Sequence, residues 1–184
     1  KNGKQTEIIK CPDIRGIRLS TSPVNTFCSS GAPGKNRNLW VGTQNGLYRL
    51  AVSPNGREDW TDESDGLISP TVTALCIIPE GNGIPFTLCV GTPQGLNLVT
   101  WSPDGKKQVR HIKNKPHDPY SLSSNRLSAL LPDTSDPEYP ILWIGTNLNG
   151  LNNMNLNTGR CFSYRQNFLD PHSLSEHRIT CLFM

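Results

Sequence analysis

Short apolar runs alternate with glycine-bounded turns along the chain, and one such pattern occurs three times. The three copies read LWVGTQNGLYRL from Leu39, LCVGTPQGLNLV from Leu88 and LWIGTNLNGLNNM from Leu142. A second apolar word stands before each copy, as VNTFC, VTALC and LSALL, and a fourth example, ITCLF, begins at Ile179. A pattern that returns about every 50 residues indicates a repeat protein, and its unit must be identified before the fold.

Each repeat divides into four expected strands that grade from apolar to polar. The first is a mostly apolar run, the second is the LWVGT-like word, the third follows the turn, and the fourth alternates polar and apolar residues. The words SPNG, SPDG and NLNTG stand between the third and fourth strands, where glycine supplies the positive φ of a tight turn. No stretch shows helical periodicity. We therefore predict an all-β chain built from four-stranded antiparallel β-propeller blades.

The repeat also predicts how the blades divide the chain, which we interpret as a single partial propeller over residues 1–184. Whole blades are expected at about 24–66, 72–116 and 127–168, with partial blades at 1–10 and 179–184. The innermost strands are predicted at Val24–Cys28, Val72–Ile77, Leu127–Leu131 and Ile179–Phe183. The chain then holds about three and a half blades.

An incomplete ring leaves an apolar blade face and unpaired strand edges exposed. We therefore expect the chain to be part of a ring, of which seven blades is the predicted size. Two arrangements are open. In one, the chain is a segment of a longer propeller and the remaining blades are its partner. In the other, a second copy of the chain closes the ring.

The turn between the second and third strands carries the most regular signal. Its glycines allow close approach of the backbone, and the aromatic residues Trp40 and Trp143 are predicted to fill space between neighbouring blades. Cys89 takes the tryptophan position in the second repeat. The third repeat has one residue more in this turn, which predicts a bulge or a longer turn.

Composition and charge narrow the classes of function. The 184 residues carry a net charge of +3 and 35% apolar residues, which is typical of a globular domain and gives no case for nucleic acid binding. No apolar run is long enough to span a bilayer, so a membrane would be reached only through parts that this chain lacks. The basic stretch at 106–115 is interpreted as a solvated outer strand.

The repeated words resemble a known family. L-W-[IV]-G-T-x-x-G-L together with D-P-x-S-L-S, present at Asp118 and Asp170, is similar to the two-component regulator propeller repeat. The resemblance covers roughly residues 19–184. It implies a periplasmic sensor domain of a bacterial histidine kinase or hybrid two-component system, acting in signal transduction and carbohydrate sensing. The kinase domains of such a parent are absent here, so we expect no enzymatic activity from this chain.

The residues that often carry chemistry show no arrangement of a catalytic or metal site. The six cysteines form no C-x-x-C pair, and we predict free thiols, with Cys76 and Cys89 the better-placed pair and Cys28 too far from Cys76 to bridge. No Ser-His-Asp order, phosphate loop or paired carboxylates stand out. We therefore predict no catalytic residues, no metal and no cofactor.

Candidate ligand-binding residues come from loop geometry. In a propeller, the loops that join the second to the third strand share one end with those that join consecutive blades. These loops carry amides, arginines and a histidine: Gln44, Asn45, Gln94, Arg126, Asn147, Asn149, His177 and Arg178. Such side chains suit a polar small molecule or an oligosaccharide, although Arg126 and Arg178 suit capping of the blade loops better, and the amides suit either role. Two other functions stay open, a scaffold that binds a protein partner and a propeller enzyme acting on polysaccharide.

Overall fold

The computed structural model describes residues 22–31, 35–81, 83 and 85–183. Strands and turns account for all the regular structure of these residues, and no helix occurs among them. It follows that this part of the chain has no helix suited to crossing a membrane. The prediction of an all-β chain is confirmed.

Three four-stranded antiparallel sheets follow one another along the chain, each with its strands in sequential order. The first blade contains β1 (Val24–Ser30), β2 (Arg37–Thr43), β3 (Leu47–Val52) and β4 (Glu58–Asp62). The second contains β5 (Ala74–Ile78), β6 (Thr87–Thr92), β7 (Gly95–Trp101) and β8 (Lys107–Ile112). The third contains β9 (Leu127–Asp133), β10 (Ile141–Thr146), β11 (Leu151–Asn155) and β12 (Cys161–Tyr164).

The first strands of the blades lie side by side, because β1 contacts β5 and β5 contacts β9. The burial of the strands follows the predicted gradient from apolar to polar. All six residues of β6 are buried, whereas three of the four residues of β12 are exposed. Innermost strands therefore line the axis and fourth strands form the rim, as in propeller blades.

Two apolar cores lie where one blade faces the next. Between the first and second blades, Trp40 is 2% exposed and packs with Leu47 against a group from the second blade: Val72, Leu75, Leu88, Val90 and Val99. Between the second and third blades, Cys89 and Leu96 are completely buried with Leu127, Leu142 and Met154. Both faces of the second blade are thus covered, one by the first blade and one by the third. A single blade cannot bury its apolar faces alone, so the repeat is needed for stability.

Three of the four predicted innermost strands are present, and the fourth is wrong. Residues 179–183 form no strand, because no described segment lies beside them to complete a hydrogen-bonded ladder. The start of this segment is nevertheless held in place, since the N–H of Ile179 donates to the carbonyl of Thr146 at 2.9 Å. The strand predicted at 1–10 lies outside the described residues.

The longer turn predicted for the third repeat is also present. In each blade, a threonine hydroxyl donates to the carbonyl of the turn glycine. Thr43 reaches Gly46 and Thr92 reaches Gly95 three positions on, whereas Thr146 reaches Gly150 four positions on. The extra residue therefore lengthens the turn and leaves the threonine bond unchanged.

Candidate functional site

The turns between the second and third strands lie at one end of the blades, and their conformation is set by threonine as well as by glycine. Besides donating to the glycine carbonyl, the threonine oxygen accepts a hydrogen bond from the backbone N–H of a later turn residue. These bonds measure 3.0 Å to Asn45, 3.1 Å to Gln94 and 3.0 Å to Asn149. The sequence interpretation considered only the glycines, although Thr43, Thr92 and Thr146 recur at matching positions.

The structure places several of the predicted ligand-binding residues beside one another at this end. The N–H of Asn147 donates to the carbonyl of Arg126 at 3.0 Å, and the N–H of Gly150 donates to the carbonyl of His177 at 2.7 Å. The carbonyl of Gln44 accepts from the hydroxyl of Thr71 at 3.1 Å. The turns of the first and third blades are thus tied to loops that lead into a blade.

Two of the predicted amide side chains already bind within the protein. The Asn45 amide donates to the Ser22 hydroxyl at 2.9 Å, and the Asn149 amide donates to the Ser123 carbonyl at 2.7 Å. The side chains of Gln44, Gln94, Arg126, His177 and Arg178 are exposed and make no hydrogen bond or ion pair with the described residues, whereas Asn147 is half-buried. These five remain the candidates for a ligand at this end.

Two buried asparagines were missed by the sequence interpretation. Asn97 and Asn152 each follow the leucine after the turn, and both are completely buried. Each binds the loop that enters its own blade, since the Asn97 side chain accepts from the N–H of Ile68 at 2.9 Å and Asn152 accepts from that of Ser123 at 2.8 Å. The sequence signal that could have identified both asparagines is the word G-L-N, which occurs at residues 95–97 and again at 150–152.

The one buried carboxylate among the described residues is Glu63, at 8% exposure, and it belongs to the junction of the first two blades. Its oxygens lie 3.4 Å from Arg49 Nε and 3.7 Å from Lys107 Nζ. Lys107 also donates to the Glu63 backbone carbonyl at 2.9 Å. These contacts join Glu63 to Arg49 of the first blade and to Lys107 of the second, so the carboxylate links the two blades.

A groove with a volume of about 550 Å³ lies on the side of the third blade that no described blade covers. We call this side the open face. It carries Trp143, Leu151, Tyr164 and Leu174, and the rings of Trp143 and Tyr164 are 6.0 Å apart between centroids. Polar residues complete the lining: Arg165, Asn167, Asp170, His172 and Ser173. None of the predicted ligand-binding residues lines this groove.

The five described cysteines carry free thiols, as predicted. Cys76 and Cys89 are cross-strand partners of β5 and β6. Burial, with a smaller effect of Cys76, raises the pKa of Cys28 to about 12, and burial raises that of Cys161 to about 11. A hydrogen bond with Cys76, followed by burial, raises the pKa of Cys89. These thiols stay protonated and unreactive near neutral pH.

Stability is expected to fall at alkaline pH because of these thiols. They have an ordinary pKa of 9.0, which we take for the unfolded chain, and the folded chain keeps their protons to higher pH. Above pH 9.0 the unfolded state therefore binds fewer protons than the folded state, so the free energy of unfolding decreases until about pH 12. Urea unfolding in reductant across this range measures the slope. Cys28→Ala should make it shallower, and an unchanged slope in that variant would contradict the assignment.

Within the described ranges, no three histidine, cysteine or acidic side chains come together in a way that would hold a metal ion. Cys28 and Cys76 are near enough to Cys89 to help raise its pKa, but these three thiols are not arranged as a set of metal ligands.

Of the comparisons with known proteins, the one with solved structures gives matches. No family model matches the chain, and no curated protein matches it. Eleven chains of solved structures do match. One is the crystal structure of an extracellular domain assigned to a hybrid two-component system, BT4673, from B. thetaiotaomicron, at 20% sequence identity and a TM-score of 0.49. The match covers 79% of this chain and 23% of that chain.

The chain therefore spans about a quarter of the length of that extracellular domain. The fold of the chain is established by its own three sheets, independently of this match. The resemblance to sensor propeller repeats continues to rest on the repeated words of the sequence.

Proposed function

We propose that this chain is a segment of a ligand-sensing propeller in the extracytoplasmic part of a bacterial two-component sensor histidine kinase. One observation supports this most. Three consecutive blades carry the G-T turn word on their second strand, and the D-P-x-S-L-S word occurs in the loops that follow the second and third blades. This combination resembles sensor propeller repeats. The periplasmic location and the kinase output follow from the same resemblance.

The ligand proposed for this segment is a polar small molecule or an oligosaccharide bound at the loop end. The free side chains there are two amides, two arginines and a histidine. An amide both donates and accepts hydrogen bonds, and a guanidinium donates in a fixed fork, so the set suits hydroxyl and carboxylate groups. Partners of the segment in this proposal are the remaining blades of the propeller.

A second candidate function is that of a scaffold that binds a protein partner. The open face favours it, because Trp143 and Tyr164 form an aromatic pair beside a groove that the described blades leave uncovered. A polysaccharide-active enzyme has less support. Glu63, the one buried carboxylate among the described residues, is ion-paired with Arg49 and Lys107 at the junction of two blades and lies outside the loop end and the groove.

Isothermal titration calorimetry against a panel of neutral and acidic oligosaccharides tests the proposed function. We expect binding of at least one member without any change in its mass, because the site offers hydrogen-bonding groups and no acid pair. Turnover of any sugar would replace the sensing proposal with an enzymatic one, and failure to bind any member would contradict oligosaccharide sensing.

Matched arginine variants test the location of the site. Arg126→Gln and Arg178→Gln should each weaken binding about tenfold, since a charge-assisted hydrogen bond contributes about 1.5–3 kcal/mol. Arg57→Gln is the control, because Arg57 is also exposed but follows the turn between β3 and β4, at the opposite end of the blade. Equal losses in all three variants would indicate a general effect of charge and would remove the loop end as the site.

A further inference from the structure

The two complete junctions between blades share a polar clamp. In the second blade, the Asn97 side chain accepts from the N–H of Ile68 at 2.9 Å and donates to the carbonyl of Val90 at 3.0 Å. In the third, Asn152 accepts from the N–H of Ser123 at 2.8 Å and donates to the Ser123 hydroxyl at 3.0 Å. The residue that donates its N–H stands directly after a leucine that recurs in the repeat, Leu67 or Leu122, so the clamp fixes the entering loop to the blade that follows.

A second shared feature fixes the first residue of each following blade. The carbonyl of Val72 accepts from the Asn25 side chain at 2.9 Å, and the carbonyl of Leu127 accepts from the Thr73 hydroxyl at 2.7 Å. The same bond occurs once more, from the Ser128 hydroxyl to the carbonyl of Ile179. Ile179 therefore occupies, on the open face, the place that Val72 and Leu127 occupy in the two complete junctions.

The open face carries the remaining parts of a junction without the blade that would complete it. Ser175 corresponds to Ile68 and Ser123 in the repeat, but its N–H has no acceptor within the described residues. Leu174 is half-buried, whereas the matching Leu122 is completely buried. Trp143 is likewise half-buried, whereas the matching Trp40 is 2% exposed.

We propose that the open face is the docking site for a further blade of this same repeat, one that carries asparagine directly after its turn leucine. That asparagine accepts the hydrogen bond from the N–H of Ser175, and the blade covers Trp143, Leu174 and Ile179. The two complete junctions carry this inference, because the same face is buried in each of them by a blade with asparagine at that position. It deepens the proposed function by specifying the partner of the segment.

A second copy of the chain is a poorer occupant of this face. The blade that it would present is its first, where Tyr48 stands at the position of Asn97 and Asn152. Tyr48 is 3% exposed and its hydroxyl lies 3.4 Å from the Asn45 carbonyl to which it donates. The Tyr48 hydroxyl is thus already engaged, and tyrosine lacks the separate acceptor oxygen and donor nitrogen with which Asn97 accepts from the entering loop and donates to a strand carbonyl.

The test is to extend the full chain by one blade. A second copy of residues 73–116 replaces residues 180–184 directly after Ile179, so that a second Asn97 blade follows the open face. We expect amide hydrogen exchange of the 174–178 segment to slow about tenfold or more relative to the original chain, because the N–H of Ser175 becomes bonded and buried. The matched control carries Asn97→Tyr in the appended copy only, and it should not slow exchange of Ser175.

A second extension, with residues 128–168 appended in place of 73–116, supplies the Asn152 blade and guards against misfolding of the first. Absence of protection in both extensions would overturn the inference, and so would equal protection in the tyrosine control. Light scattering of the original chain tests whether a second copy occupies the open face instead. A dimer in which exchange of the 174–178 segment is slowed would assign the face to a second copy and overturn the inference. The calorimetric test of sugar binding is independent of all these results.

Discussion

Replacing Trp40 with alanine is expected to lower the free energy of unfolding by about 3–5 kcal/mol, the usual cost of truncating a buried tryptophan. The Trp40 ring lies 5.3 Å from that of Trp101 in the second blade, and the guanidinium of Arg49 lies 5.7 Å from its centroid. Its removal therefore opens a cavity between two blades. Urea unfolding followed by circular dichroism measures the change.

Trp143→Ala is the matched control, because Trp143 occupies the same position of the repeat on the open face. It should lower the free energy of unfolding by only about 1 kcal/mol, since Trp143 is half-buried on a face that no described blade covers. A loss as large as that of Trp40→Ala would mean that the open face is covered in solution. The original chain would then show unfolding that depends on protein concentration.

The glycine of the G-T word is the second position where a large effect is expected. In Gly42→Ala, the added methyl would lie 2.9 Å from Val72 Cβ and 2.9 Å from Thr26 Cγ2, closer than real side chains approach. Val72 cannot move away easily, because its N–H donates to the Thr43 carbonyl and its side chain is completely buried. We expect a loss of about 2–3 kcal/mol from this overpacking, measured by urea unfolding.

Gly91→Ala tests the same substitution at the matching position of the second blade. Its methyl would lie 3.3 Å from Ala74 Cβ and 3.4 Å from Leu130 Cδ1, and the end of the leucine can shift by a few tenths of an ångström. The loss of stability should stay below about 1 kcal/mol, because the gain in strand propensity offsets the crowding. If Gly91→Ala is as damaging as Gly42→Ala, the close approach of Val72 is not what requires glycine in the first blade.

The positions of the strands and turns were largely predictable from the sequence, because the rules that set them act over a few residues. The words LWVGT, LCVGT and LWIGT became β2, β6 and β10, and the extra residue of the third turn appeared as the longer span from Thr146 to Gly150. The strand predicted at Ile179–Phe183 is absent, because forming a strand does not depend on the local sequence alone. Its pattern is apolar, but a strand also needs a neighbour that completes its ladder, and no described segment supplies one.

The candidate sites were harder to predict from the sequence than the strands and turns. Blade geometry identifies the loop residues, but no sequence pattern separates Asn45 and Asn149, whose amides bind within the protein, from the exposed side chains of the same loops. The role of Asn97 and Asn152 was missed although both stand in the same G-L-N word. Each accepts from an N–H that lies 29 residues earlier in the chain, and a single side chain carries no mark of a partner at that distance.

The sequence by itself determined the repeat, the all-β class, the four strands of each blade and the turns that join them, since hydrophobic alternation and glycine act locally along the chain. Only the tertiary structure decided which faces are covered. Trp40 and Trp143 stand in nearly the same word, yet one is buried and the other lies on the open face. Their difference comes from the presence or absence of a neighbouring blade, because burial depends on what packs against a residue and not on the residue's own pattern.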